Sequence, residues 1–212
     1  MNNIPVFTTE NGAASLTLNQ IPLTGKAYIK LQATQTPEAL LEECVSFCRV
    51  CGGEQIYASG HPYLERYPLH TVIIGMQRSM EGLPETDAAL FPVLPENVGK
   101  WRSIHNERMK EVPNATLLTP ADEKNQLKLG DGYFIHRNGQ LLGIGRASGD
   151  TVDLVVSCLP GAGRDVLLAL CSALTGDTVR LTVASTNTRA VKLYKKLGFL
   201  AVNTLSRWYQ IF

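Results

Sequence analysis

The sequence is short of the features that would announce a partner by charge or hydrophobicity alone. Its 20 Lys and Arg nearly balance 19 Asp and Glu, a formal net charge of +1. That gives no electrostatic footprint for nucleic acid or an anionic membrane surface, and neither partner is expected. No apolar run approaches the roughly 20 residues that span a bilayer. The opening MNNIPVFTTE has neither a basic n-region nor an apolar h-region, so no secretory signal is expected. Cysteine is sparse and odd in number, five in 212 residues, which argues against a closed disulfide framework. Reduced thiols point to the cytoplasm. Histidine is scarcer still, at four, and none lies near Cys44, Cys48 and Cys51 to complete a zinc set. No metal site is expected. Leu40, Cys44, Phe47, Cys48 and Cys51 instead read as one stripe of a helix, with thiols packing as small hydrophobes.

What is present is an ordinary globular composition, 44% apolar and 18% charged, long enough for one large domain or two small ones. In the first part, Leu16 and Leu18, then Ala27, Ile29 and Leu31, alternate with polar residues. They read as two strands around a turn at Pro22 and Gly25. Thr36-Pro37 starts a helix that runs to Gly52-Gly53, and EQIYASG and HTVIIGMQR read as two further strands. Residues 79–90 have no strong periodicity and mark a boundary, giving an α/β domain over 1–85 and a second domain over 86–212.

The second part opens with a helix carrying Val98, Trp101, His105, Met109 and Val112 on one face, ended by Pro113. Thr119-Pro120-Ala121-Asp122 reads as another helix start. GYFIHRNGQLLGIGRA is a hairpin turned at Asn138-Gly139. TVDLVVS is a strand, and Leu159-Pro160-Gly161-Ala162-Gly163 leads into a helix so apolar that it must be buried. In residues 181–199 (LTVASTNTRAVKLYKKLGF) a strand gives way to Asn187 as N-cap. A helix follows with Ala190, Leu193, Tyr194 and Leu197 on one face, stopped at Gly198. LSRWYQIF closes the chain as a strand whose exposed edge is open to another chain, so a homo-oligomer is allowed.

The string Asn187, Ala190, Leu193-Tyr194, Leu197-Gly198-Phe199 resembles the N-x-x-A-x-x-L-Y-x-x-x-G-F signature of the GCN5-related N-acetyltransferases (GNATs). The element order over residues 91–212 is similar to that family as well. The resemblance implies an α+β fold, a mixed, mostly antiparallel sheet flanked by helices, with acetyl-CoA as co-substrate. The first domain echoes the helix at 163–174 and the strand at 178–186 with its own at 37–51 and 54–60, and reads either as a degenerate partial GNAT repeat or as an unrelated small α/β domain.

The resemblance also implies a site. Gly161, Ala162 and Gly163 match the family's glycine turn, whose amides meet the pyrophosphate of acetyl-CoA. Cys158 stands where the family carries Gln or Arg, and the strand-to-glycine spacing is short, leaving Arg164 as the source of positive charge. Backbone amides around Leu154, Val155 and Val156 would hold the acetyl carbonyl, Asn187 the pantetheine or phosphate arm, and Tyr194 would protonate the leaving thiolate. His105, Glu107, His136 and Asp153 are candidate bases by position, with His105 read as a core residue. The implied activity is direct acetyl transfer to a primary amine of a small molecule or peptide. The alternative is a non-catalytic GNAT-like protein that binds CoA or a protein partner. A nucleotide site of the phosphate-loop type is disfavoured, since no Lys-Ser/Thr follows the glycines.

Overall fold

The computed structural model describes residues 5–110, 112 and 115–212. Pro113, expected to end a helix, lies outside them. The elements in chain order are β1 (Val6–Thr9), β2 (Gly12–Thr17), α1 (Ile21–Thr24), β3 (Lys26–Ala33), α2 (Pro37–Val50) and β4 (Gln55–Ser59). After a 3-10 helix (Pro62–Arg66) come β5 (Leu69–Ser79), β6 (Ala89–Pro92), α3 (Val98–Met109) and α4 (Pro120–Leu129). The chain ends with β7 (Gly132–Arg137), β8 (Gln140–Ser148), β9 (Thr151–Ser157), α5 (Gly163–Cys171), β10 (Thr178–Ala184), α6 (Thr188–Lys196) and β11 (Leu200–Gln210). They pack as two compact units. One takes the chain up to Ile73 together with Thr204–Phe212, the other Ile74–Asn203. The sequence-based boundary at 85/86 falls within the second unit, between β5 and β6.

In the first unit β1, β2 and β3 form an antiparallel meander, and β4 returns parallel to β3 after α2. The alternation of β3 and β4 puts Ala27, Ile29, Leu31, Ile56 and Ala58 on one face. There they meet Leu40, Leu41, Cys44 and Cys48 of α2, all nearly inaccessible to solvent. The expected cysteine stripe is thus half right. Phe47 and Cys51, at its margin, are exposed, because the face of α2 that meets the sheet is narrower than the apolar stripe. The turn expected at Pro22 and Gly25 is a helical turn, α1, with Pro22 in its first turn and Gly25 ending it. Strand β1 was not foreseen. The closing strand is not an open edge: Tyr209 and Gln210 pair with Ala58 and Tyr57 of β4, and the Gln210 amide donates to the Pro68 carbonyl. Trp208 rests edge-on against Tyr28, ring centroids 5.6 Å apart.

In the second unit β6 to β9 are consecutive antiparallel strands, and β10 lies parallel to β9 after α5. Both units therefore run meander, helix, parallel strand. Strand β6 falls where the sequence reading opens a helix region. The hairpin turns where expected, Asn138 and Gly139 both taking positive φ (50° and 77°). Alternate residues feed two cores. Ile135, Leu142 and Val152 join α5, whose Val166 to Cys171 are all buried, and Phe134, Ile144 and Val156 meet Val98 and Trp101 of α3. Asp122 Oδ2 accepts the Thr119 amide at 2.7 Å at the start of α4. Helix α5 sits close to the sheet because β8 carries glycine beneath it: a Cβ on Gly145 would lie 2.3 Å from Leu170 Cδ1.

Candidate functional site

The site begins where two strands part. Among the described residues β9 and β10 are joined by two residue pairs, Thr151–Arg180 and Val152–Leu181; beyond them the strands separate. On its other side β9 stays paired with β8 through Ser157. The Cys158 amide donates to the Leu142 carbonyl at 2.8 Å. Hydrogen-bonded and non-hydrogen-bonded pairs alternate along an antiparallel ladder. The alternation therefore aims the amides of Leu154 and Val156 at β8, and those of Val155 and Ser157 into the gap. Of the three amides expected to hold a carbonyl, one is free to do so, and Ser157 adds another that the sequence reading did not name.

The gap widens into a cleft of about 660 Å3, within the range of small-molecule sites. Val155, Val156 and Ser157 form one wall. Gly161, Gly163 and Arg164, at the turn into α5, form the next. Asn187, Arg189, Ala190, Leu193 and Tyr194 close it from α6, and Glu107, Arg108 and Met109 reach it from α3. Gly161 has φ 82°, a left-handed conformation that costs glycine little; it lets the chain reverse so that α5 starts with its free amides at the cleft. Seven predicted residues thus line one space: Val155, Val156, Gly161, Gly163, Arg164, Asn187 and Tyr194. Leu154 and Ala162 do not; Leu154 packs with the α3 core and Ala162 is buried with the α5 core.

Asn187 caps α6, its Oδ1 accepting the Ala190 amide at 3.2 Å. Tyr194 is buried on the inner face of α6 with its ring 5.9 Å from that of Phe199. Desolvation pushes its phenol up to about 12, so at neutral pH it keeps its proton. Among the candidate bases, Glu107 lines the cleft. His105 is buried, stacked on Trp101 at 5.9 Å, with Nδ1 3.1 Å from Asn106 Oδ1; burial lowers its pKa and leaves it neutral. His136 faces a different cavity, of about 300 Å3, with Asp87, Phe91 and Arg137. Asp153 is exposed at the β8–β9 bulge. Partial desolvation raises its pKa, Arg146 pulls it down and Asp131 pushes it up.

The residue that sequence reasoning missed is Arg108. Its Nη2 donates to the Cys158 carbonyl at 2.9 Å, across 50 positions of chain, and nothing in local sequence links α3 to the glycine turn. Arg164, the expected charge, instead pairs with Asp165 at 3.2 Å, and Asp165 also holds Arg137 at 3.0 Å.

No protein-family model matches the chain, and no curated protein matches it in sequence. Solved structures do match. A GCN5-related N-acetyltransferase from Sphaerobacter thermophilus superposes with TM-score 0.56 at 12% identity, over 95% of this chain and 77% of that one. A functionally unknown conserved protein from Staphylococcus epidermidis gives 0.61 at 14% identity, over 98% and 93%. A tandem GNAT protein from the clavulanic acid biosynthesis pathway, solved without AcCoA, gives 0.52 at 13% identity, over 94% and 77%. Identities this low speak of architecture, and the opening of β9 from β10 agrees with them: the chain has the fold of the GCN5-related N-acetyltransferases.

Proposed function

We propose that the protein transfers an acetyl group from acetyl-CoA to a primary amine of a small molecule or peptide. One observation carries the reading: β9 and β10 stay paired for two residues and then open, beside a glycine turn, into a cleft that Tyr194 lines. Acetyl-CoA supplies an activated acyl thioester. The free amides at the start of α5, with the left-handed Gly161, suit its phosphates. The Val155 and Ser157 amides offer fixed donors to a carbonyl oxygen, and because they are pre-oriented they need no reorganisation as charge gathers on it. Tyr194 lines the cleft, and its hydroxyl holds a proton at neutral pH, as a group that protonates a thiolate must. Glu107 is the titratable carboxylate at hand on the cleft wall.

The sequence-based domain over 1–85, most of which lies in the first unit, fits the role of a degenerate copy of the same fold. It repeats the meander, helix and parallel strand, but β3 and β4 remain paired over five residues, Lys26–Lys30 with Gln55–Ser59. Paired strands leave no gap for a pantetheine arm, so one donor site per chain is expected.

Calorimetric titration with acetyl-CoA tests the reading. Micromolar binding with one site per chain is the expected result; no binding at near-millimolar ligand refutes it. A Tyr194→Phe variant that binds normally but turns over about 100-fold or more slowly supports the proton-donor role.

A further inference from the structure

Three arginines, Arg108, Arg164 and Arg189, line the cleft. They are not equivalent. Arg164 is tied to Asp165, which is itself shared with Arg137, so its charge is largely spent within the protein. Arg189 stands on the far wall, in the first turn of α6. Arg108 has no carboxylate within ion-pair distance among the described residues. Its contact with the Cys158 carbonyl holds the guanidinium three residues before Gly161, in the cleft that Gly161 and Gly163 also line. A guanidinium has five N–H donors, and a single bond to a carbonyl leaves most of them for an anion. Nothing in the strand–turn segment 154–163 itself carries positive charge.

Resting on the acetyl-CoA reading, we propose that Arg108 of α3 is the phosphate-reading residue of this cleft and makes it selective for donors carrying a diphosphate, CoA thioesters, over pantetheine thioesters that lack it. Helix α3 thereby supplies in space the charge that Cys158 leaves out of the sequence. The carbonyl bond holds the guanidinium in place before the ligand arrives, so little side-chain entropy is lost on binding. Pairing a guanidinium with phosphate oxygens is short, charge-assisted and often bidentate, which separates it from a simple field effect.

The test is calorimetry with CoA and with pantetheine on wild type, Arg108→Ala and Arg108→Gln. Glutamine keeps a polar side chain without the charge, and pantetheine, which lacks the diphosphate, separates reading the phosphates from propping the turn. Both variants should bind CoA about 10- to 100-fold more weakly, with pantetheine binding unchanged and with a shallower loss of CoA affinity as salt rises. Wild-type affinity for CoA in either variant overturns the proposal, as does an equal loss for CoA and pantetheine, which marks a merely structural prop. Wild type failing to bind CoA at all is a different result, and refutes the acetyl-CoA reading itself.

Discussion

Replacing Tyr194 with phenylalanine should change how the protein responds to alkali. The phenol is buried, and desolvation moves its pKa from 10.0 to about 12 in the folded chain. A raised folded pKa contributes stability that is intact below the unfolded value near 10 and is lost as pH climbs toward 12. At pH 11 the unfolded phenol is mostly ionised and the folded one mostly neutral, so this group alone costs the fold about 1.4 kcal/mol relative to pH 8. Phenylalanine has no proton to lose and carries no such penalty. Urea unfolding of both proteins at pH 8 and pH 11 reads the difference directly. The burial of Tyr28, Cys44, Cys48 and Cys171 also makes the fold alkali-sensitive, but those groups are common to both proteins and cancel. Wild type should lose about 1.4 kcal/mol more than Tyr194→Phe between the two pH values. Equal losses would mean that the hydroxyl ionises as freely in the fold as outside it. The claim of a phenol protonated well beyond neutral pH would then fall.

Other outcomes follow from the same geometry. Asn187→Ala removes the acceptor for the Ala190 amide and should cost about 1 kcal/mol of stability; a matching loss of acetyl-CoA affinity, measured by calorimetry, would show that the cap also serves the ligand. Gly143→Ala puts a Cβ 2.2 Å from the Val156 carbonyl oxygen and 2.7 Å from Val166 Cγ2, and should destabilise by about 1–3 kcal/mol in urea melts because β9 backbone has to move. Gly161→Ala meets nothing within 4 Å but must hold φ at 82°. It should cost about 1–2 kcal/mol from backbone strain alone, with a larger effect on acetyl-CoA binding than Gly143→Ala shows.

Local sequence determined a good deal of this protein. The Asn187 cap, the Leu193-Tyr194 face and the Gly198 stop delimit α6 because capping and 3.6-residue periodicity act within a dozen residues. Asn138-Gly139 set the hairpin because only residues tolerant of positive φ turn two strands so tightly. The run from Val166 to Cys171 announced a buried helix. Short elements were less legible: β1 and β6 are four residues each, too brief for alternation to show, and the helical turn α1 passed for a loop. The exposure of Phe47 and Cys51 depended on how much of α2 the sheet covers, which no helical pattern states. Which amides of β9 face the gap depended on ladder register, a property of two strands rather than one. The closing strand reads as an open edge until Tyr209 is seen paired with Ala58. Tertiary structure alone decided where the positive charge beside the glycine turn comes from. A guanidinium acts over a few ångströms, not along the chain, and Arg108 and Cys158 become neighbours only when α3 packs across β9.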